Sequence, residues 1–226
     1  EISFHPLGLN GFPFLSFSSR DSFSAQNSFI EIEPNTTLNL SIVNRDTAAH
    51  TILFNEGQQS SGTILPGDSS SITLQFNNQG MFSLYDSLES NRFLGLSTFI
   101  KVWTPSVKSF IWHLNELESD LNKKISAGIA FDADTFNPDY FTINDNTHPQ
   151  ISNDSTAKVI GNVGDSIYIF VFNSGKMHHA IHFHGYHVTI LDSNSDSLDI
   201  GRSKDSIPIR PGKYQVYLLV PHQEGQ

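Results

Sequence analysis

The chain has 226 residues, a formal net charge of −10 and no cysteine. Its length suits one large domain or two of about a hundred residues each. The acidic balance, with no basic run, argues against nucleic acid or an anionic membrane surface as partner. No apolar stretch approaches the roughly 20 residues of a membrane-spanning helix. The lack of cysteine excludes disulfides, Cys nucleophiles and thiolate metal sites.

The composition also bears on localisation. The chain begins at Glu1 rather than at Met, is rich in Ser, Asn and Thr, and has only 13 Lys and Arg residues. These features predict a processed, exported protein that resides in the periplasm, at the cell surface or outside the cell.

The first half of the chain predicts an arm followed by a β-domain. Residues 1–27 carry scattered Phe between Gly, Pro and Ser without a sustained period, which indicates an extended N-terminal arm. Residues 28–104 consist of short alternating runs separated by turn clusters such as Pro66-Gly67-Asp68. The predicted strands are Phe29–Glu33, Thr37–Asn44, His50–Asn55, Ser70–Phe76, Met81–Tyr85 and Ser97–Trp103. Six short strands with this spacing predict a β-sandwich.

Residues 105–226 predict a second domain of the same class. Phe110–Glu116 is predicted to form a strand, followed by a helix over Ser119–Ser126. The helix is predicted because apolar residues in this part of the chain recur at helical spacing. Further strands are predicted at Lys158–Gly161, Ser166–Asn173, Ala180–Leu191 and Tyr214–Val220.

The second domain repeats the first. Thr37–Asn44 resembles Ser166–Asn173, and in each copy a histidine, His50 or His179, lies six positions after the closing Asn. Two copies of one β-domain explain this better than a single large sandwich.

The two copies end differently. Pro66-Gly67 precedes Gly80 as Pro211-Gly212 precedes Gly225, but only the first copy continues into a closing hairpin. The repeat therefore predicts either a trimmed sequence or an open C-terminal edge that a protein partner or an oligomer covers.

Five of the ten histidines lie within residues 178–187. On a strand, His182 and His184 point to one face, and Ile181 and Phe183 point to the other. Imidazole binds copper, zinc, iron or nickel, but two ligands make only half of a mononuclear site. The alternative is that these are surface or hydrogen-bonded structural histidines.

The sequence His179-Ala180-Ile181-His182-Phe183-His184-Gly185 resembles the His-x-x-His-x-His-Gly motif of the multicopper oxidases. Phe136–Asn144, Gly164-Asp165 and Pro211-Gly212 resemble the same family. The resemblance covers about residues 28–226. It implies an all-β fold of two Greek-key cupredoxin-like β-sandwiches, with a short helical segment between or within them, and copper as the cofactor.

Carried over by position, the family pattern makes His179 a type 1 copper ligand and makes His182 and His184 ligands of the trinuclear cluster. The chain departs from the pattern because it has no type 1 Cys and only one His-x-His pair where the family uses four. Asp86 stands about where the Cys of the first domain would be, which implies that this domain has lost its copper.

Three functions remain open. The first is an exported, multicopper-oxidase-like cupredoxin that binds copper through the His-x-His strand without being a self-sufficient oxidase. The second is a structural or interaction module of a larger extracellular or cell-surface assembly, with relic copper ligands. The third is an oxidase completed by other subunits, so the sequence leaves open whether the chain is an enzyme.

Overall fold

The computed structural model describes residues 1–8, 11–19, 26–105 and 108–224, so Phe23 of the predicted arm and Gly225 of the repeat lie outside the described residues. The chain forms two compact units. Unit 1 comprises residues 1–104 and 116–141, and unit 2 comprises residues 105–115 and 142–226. Strands dominate both units, which confirms the predicted all-β class.

Unit 1 contains nine strands and two short α-helices within its described residues. The strands are β1 (Ile2–His5), β2 (Phe14–Phe17), β3 (Ile30–Ile32), β4 (Thr36–Val43), β5 (His50–Phe54), β6 (Gln59–Ile64), β7 (Ser69–Phe76), β8 (Gly80–Asp86) and β9 (Ser97–Val102). The helices are α1 (Glu89–Phe93) and α2 (Ser119–Ser126).

The later strands belong mainly to unit 2. They are β10 (Ser109–Leu117), β11 (Tyr140–Ile143), β12 (Ile167–Asn173), β13 (His179–His182), β14 (Val188–Ser193), β15 (Ser203–Lys204), β16 (Ser206–Ile209) and β17 (Tyr214–Leu219). Short 3₁₀ turns occur at Ala133–Thr135, Gln150–Asn153 and Ser197–Asp199.

The core of unit 1 lies between a five-stranded sheet and the β4·β7 ribbon. The sheet has the order β3-β9-β8-β5-β6, and β4 pairs with β7 along its whole length. Strand β4 alternates so that Leu38, Leu40 and Ile42 pack into the core while the residues between them are exposed. The N-terminal residues form the β1·β2 hairpin, and its Ile2 and Leu15 are also part of this core.

The core of unit 2 lies under a larger sheet with the order β11-β10-β12-β17-β14-β15. Strands β10 and β12 pair in parallel, whereas β17 pairs antiparallel with both β12 and β14. A separate two-stranded ribbon, β13·β16, carries Ile207 and Ile209, which are fully buried in the same core.

The structure corrects the predicted strand Ala180–Leu191. The chain makes a turn at Gly185, whose φ of 76° lies in the left-handed region that glycine tolerates, and β13 and β14 on either side of this turn belong to different sheets. The predicted strand Lys158–Gly161 is also wrong. The N–H of Lys158 there donates to the carbonyl of Asp154 in a turn.

Other predicted elements are confirmed closely. The helix over residues 119–126 has the predicted bounds, and β4, β5, β7, β12 and β17 begin or end within one residue of the predicted strands. Strand β6 was not predicted because its sequence, Gln59-Ser60-Ser61-Gly62-Thr63-Ile64, has no apolar alternation and is held by pairing with β5. Within the described residues no helix is long and apolar enough to cross a bilayer.

Candidate metal centre

His182 and His184 lie side by side at the end of β13. Their ring centroids are 4.8 Å apart, and both side chains are exposed to solvent. Phe183 between them points to the other side, where it is buried in the core of unit 2. The alternation of side chains therefore continues just past the end of β13. The two imidazoles lie on one side, and the buried Phe183 lies on the other.

The ring of His182 is oriented by β16. Its Nδ1 lies 3.1 Å from the carbonyl oxygen of Asp205 and 2.8 Å from Oγ of Ser206. Because a carbonyl oxygen only accepts, Nδ1 donates to Asp205 and carries the ring proton, which leaves the lone pair on Nε2. This is how proteins fix the tautomer of a metal-binding histidine.

His179 occupies a different environment from His182 and His184. It is half-buried at the start of β13, where it pairs with Ile209. Since it lies three positions before His182, its side chain is on the opposite face of the strand. The structure thus brings His182 and His184 together and keeps His179 apart from them.

The residue set at His182 and His184 fits a metal only in part. Two imidazoles with one oriented ring are suitable for copper, but no group of three or more His, Asp or Glu side chains with metal-site geometry occurs among the described residues. A mononuclear site takes three or four protein ligands, so this pair supplies one side of a site.

In unit 1, His50 occupies the position that corresponds to His179. His50 begins β5 and pairs with Ile64, two residues before Pro66-Gly67, as His179 begins β13 and pairs with Ile209, two residues before Pro211-Gly212. The predicted internal repeat is therefore visible in the strand register of both units.

His50 is held by two carboxylates. Its Nδ1 lies 2.7 Å from Oδ2 of Asp86, and its Nε2 lies 3.0 Å from Oδ2 of Asp46, with the imidazole fully buried. Both carboxylates accept, so both ring nitrogens carry protons and neither offers a lone pair to a metal. Nδ2 of Asn91 from α1 also lies 3.4 Å from Nδ1 of His50, but both atoms are donors, so this contact adds no hydrogen bond.

The electrostatics agree with this geometry. Burial by itself would lower the pKa of His50, but the hydrogen bonds and charges of Asp46 and Asp86 outweigh it and raise the pKa to about 9. Burial would in turn raise the pKa of Asp46, yet the hydrogen bond from His50 keeps it below its ordinary value. His50 is an imidazolium ion at neutral pH.

Sequence reasoning found His50 and Asp86 but missed the other participants. Asp46 could have been suspected from its i,i+4 spacing to His50. Ser206 and Asp205 are more than 20 residues from His182 in the chain and reach it only through the β13·β16 pairing. No local sequence signal marks them.

Comparison with known proteins supports the resemblance. Residues 124–226 match the family model of the multicopper oxidases. Among solved structures, a multicopper oxidase, mgLAC, gives a TM-score of 0.77 at 18% identity, with 94% of this chain and 71% of that chain covered. The blue copper oxidase from Nitrosomonas europaea gives 0.75 at 21% identity, with the same coverages.

A laccase from Botrytis aclada gives a TM-score of 0.74 at 12% identity, with all of this chain and 46% of that chain covered. No curated protein sequence matches the chain.

The architecture is thus the cupredoxin fold as multicopper oxidases use it. The stretch that matches the multicopper oxidase model, residues 124–226, includes the histidine motif.

Proposed function

We propose that this protein is an exported, multicopper-oxidase-like cupredoxin that binds copper through His182 and His184 and is not a self-sufficient oxidase. The observation that carries the proposal is the pairing of the two imidazoles, 4.8 Å apart, with the proton of His182 held on Nδ1 by Asp205. Nε2 of His182 is then the nitrogen that faces a metal. Bound copper would supply a redox-active ion, and the chain itself contributes the two imidazoles and their orientation.

Two features of the chain support a role short of oxidase activity. A blue-copper site uses a Cys thiolate with two His ligands, and the chain has no cysteine. In unit 1 the corresponding histidine, His50, is protonated on both nitrogens by its contacts with Asp46 and Asp86. His179 remains a proposed ligand at the corresponding position of unit 2, and it lacks a thiolate partner in this chain.

The test is isothermal titration of the metal-free protein with Cu(II). We expect one site whose affinity falls by at least 10- to 100-fold in His182→Ala and in His184→Ala, since loss of a ligand costs no less than loss of an outer-shell partner. His187→Ala is the matched control, because His187 is an exposed histidine three positions from His184 with no proposed role. Equal binding by all three variants would contradict the proposal.

A second candidate function is an interaction module of a larger extracellular or cell-surface assembly whose histidines are relics. The buried ion cluster at His50 favours it, because both ring nitrogens are occupied by carboxylates in a unit that keeps the cupredoxin-like fold. Absence of copper binding by the wild-type protein, together with an intact fold, would select this function. Oxygen uptake in a complex with other subunits would instead select the third hypothesis, a completed oxidase.

A further inference from the structure

A cleft of about 600 Å³ lies within unit 1, next to the His50 cluster. Its lining is largely apolar and includes Phe4, Leu15, Leu94, Ile125, Ile129 and Phe131. Pockets that enclose small organic molecules have volumes of roughly 300 to 1,000 Å³ and are mainly apolar, with a few polar groups that fix the orientation of the ligand. The cleft therefore has the size and the lining of a site for a small organic molecule.

Part of the apolar lining is exposed to water. Ile129 is 56% exposed and Phe131 is 36% exposed, whereas Phe4 and Ile125 pack against the core of unit 1. The ring of Phe131 is held against Phe93, with the ring centroids 6.0 Å apart and the ring planes at 90°. An apolar ligand that covered Ile129 and Phe131 would remove their surface from water, which favours binding.

Asp46 brings a negative charge to the edge of this apolar space. Burial opposes the ionisation of Asp46, but hydrogen bonds from His50, Thr47 and Ala48 lower the pKa of its carboxyl group. Its side chain is 9% exposed, and it borders the cleft. No Lys, Arg or His occurs among the described residues that line the cleft. The lining therefore combines an ionised carboxylate with apolar walls and supplies no cation.

His50 balances only part of the negative charge beside the cleft. It lies between Asp46 and Asp86, and Oδ1 of Asp86 also accepts from the N–H of Leu88 at 2.7 Å. Two carboxylates and one imidazolium ion leave one net negative charge in the cluster. A ligand cation in the cleft would complete the balance.

The basic residues that adjoin the lining in sequence are directed to other partners or to solvent. Arg45 is exposed and its Nε donates to Glu1 at 3.2 Å. The guanidinium of Arg92 lies over the ring of Tyr85, at 5.4 Å from the ring centroid. Lys124 is exposed on α2. The positive charge that fits beside Asp46 can therefore come from a ligand.

A ligand donor also finds acceptors at the polar side of the cleft. The hydroxyl of Thr47 donates to Oδ1 of Asp46 over 3.4 Å, a long contact that a ligand N–H can replace. The side chains of Ser90, Asn91 and Ser126 line the same cleft and add uncharged oxygen atoms that accept hydrogen bonds. An ammonium group has three N–H donors, and these acceptors suit it.

We propose that this cleft binds a small organic cation, a primary ammonium group carried on an apolar body. The ammonium group donates to Asp46 and balances the charge of the His50 cluster, and the apolar body covers Ile129 and Phe131. A neutral or anionic molecule of the same shape lacks the attraction to the carboxylate and binds more weakly. This binding is independent of the proposed copper ligands His182 and His184.

The test compares three probes of matched shape on the full, metal-free chain at pH 7. They are 4-phenylbutylammonium, 4-phenylbutanol and 5-phenylpentanoate, and isothermal titration gives their affinities. We expect the cation to bind at least about tenfold more tightly than the alcohol and the anion to bind most weakly, because hydrogen bonds to charged groups are the stronger ones. Amide chemical shifts should change at Thr47, Ala48, Gly128 and Ile129.

Equal affinities of the cation and the alcohol would overturn the proposal. Absence of binding, or shift changes confined to other parts of the chain, would overturn it as well. The second of these outcomes would mean that the cation binds the acidic surface of the protein without using the cleft.

Three variants locate the interaction. Asp46→Asn keeps an oxygen that can accept from His50 but removes the charge, so the preference for the cation over the alcohol should disappear. Ser126→Trp fills the cleft from the end of α2 and should weaken both probes at least about tenfold. Ala127→Trp is the matched control, because Ala127 is the next residue, is exposed and does not line the cleft, so both affinities should stay within about twofold.

A preference for the cation that persists in Asp46→Asn, or cation binding that persists in Ser126→Trp, would overturn the proposal. Loss of both probes in Asp46→Asn would show that this variant has lost the shape of the cleft. The comparison of the three probes on the wild-type chain and on Ser126→Trp then decides.

Discussion

At the scale of single residues, the chain uses the same side chain in two opposite ways. His182 has one nitrogen held by a carbonyl and one left with its lone pair, whereas His50 has both nitrogens held by carboxylates. The first arrangement suits the proposed role of His182 as a ligand, and the second makes His50 a buried cation. What decides between them is the chemistry of the acceptors, which are a backbone carbonyl and Ser206 in one case and Asp46 and Asp86 in the other.

Ser206 should matter for copper affinity without being a ligand. In Ser206→Ala the hydroxyl at 2.8 Å from Nδ1 of His182 is lost, while the carbonyl of Asp205 remains. We expect copper affinity to fall by about tenfold, at the low end of the effect of outer-shell partners. Titration with Cu(II) measures it, and Ser203→Ala, which alters an exposed serine of β15, serves as control. An affinity unchanged in Ser206→Ala would show that the carbonyl alone orients the ring.

The buried imidazolium should make stability depend on alkaline pH. The pKa of His50 is raised from 6.5 to about 9 in the folded state, so its contribution is complete below pH 6.5 and is lost as the pH rises through about 9. The shift corresponds to about 3 kcal/mol in the free energy of unfolding. The pKa of Asp46 is lowered in the folded state, so its carboxylate stays ionised across this window and does not offset the loss.

Urea unfolding at pH 6.5 and at pH 9.5 measures this dependence. In His50→Gln the decrease between the two pH values should disappear, although the variant is less stable at both because two buried carboxylates lose their partner. A free energy of unfolding that is constant over this range in the wild-type protein would contradict the assignment of His50 as a cation.

At the scale of elements, the two ribbons depend on an asparagine that lies at the end of the preceding strand. Asn44 and Asn173 are both fully buried. Each bonds one carbonyl and one backbone N–H of the turn that leads into the histidine strand, and one carbonyl of the strand paired with that strand. This explains why the sequence repeat contains a closing Asn at a fixed distance from the histidine. The turn needs an amide that can donate and accept at once.

Asn44→Ala should destabilise the protein by about 2 to 3 kcal/mol, because it leaves buried backbone groups without partners. Asn173→Ala should cost less, since the bond to Ile209 is longer, at 3.5 Å against 3.0 Å to Ile64. Asn39→Ala is the control, because Asn39 is exposed and its side chain accepts a hydrogen bond from Thr73 at the surface of the β4·β7 ribbon. Its change in stability should stay within about 0.5 kcal/mol. Thermal or urea unfolding measures the loss of stability in each variant. A loss in Asn44→Ala no larger than that in Asn39→Ala would contradict the prediction.

At the scale of the whole molecule, the chain combines the fold of the multicopper oxidases with two proposed copper ligands, His182 and His184, and no cysteine. We expect the copper-loaded protein alone to show no oxygen uptake with a phenolic substrate, because it has no thiolate for a blue-copper centre. An oxygen electrode with a laccase as positive control measures this. Sustained uptake by the isolated, copper-loaded chain would contradict the proposed function.

The sequence by itself determined the fold class, the internal repeat and the histidine motif. Each of these follows from local sequence patterns. Apolar residues alternate in Thr37–Asn44, polar turns follow at regular intervals, and His182 and His184 are two residues apart. The helix over residues 119–126 was predictable for the same reason, since its apolar residues recur at helical spacing.

The tertiary structure alone decided which hydrogen-bond partners His50 and His182 meet. The turn at Gly185 splits one apparent strand into two that lie in different sheets, and the apolar positions change parity across it, from Ile181 and Phe183 to Val188 and Ile190. Strand pairing brings Ser206 to His182 and Asp86 to His50, across 24 and 36 positions of the chain. Whether an imidazole becomes a ligand or a cation depends on these distant acceptors, because hydrogen bonds form between neighbours in space and leave no periodic trace in the sequence.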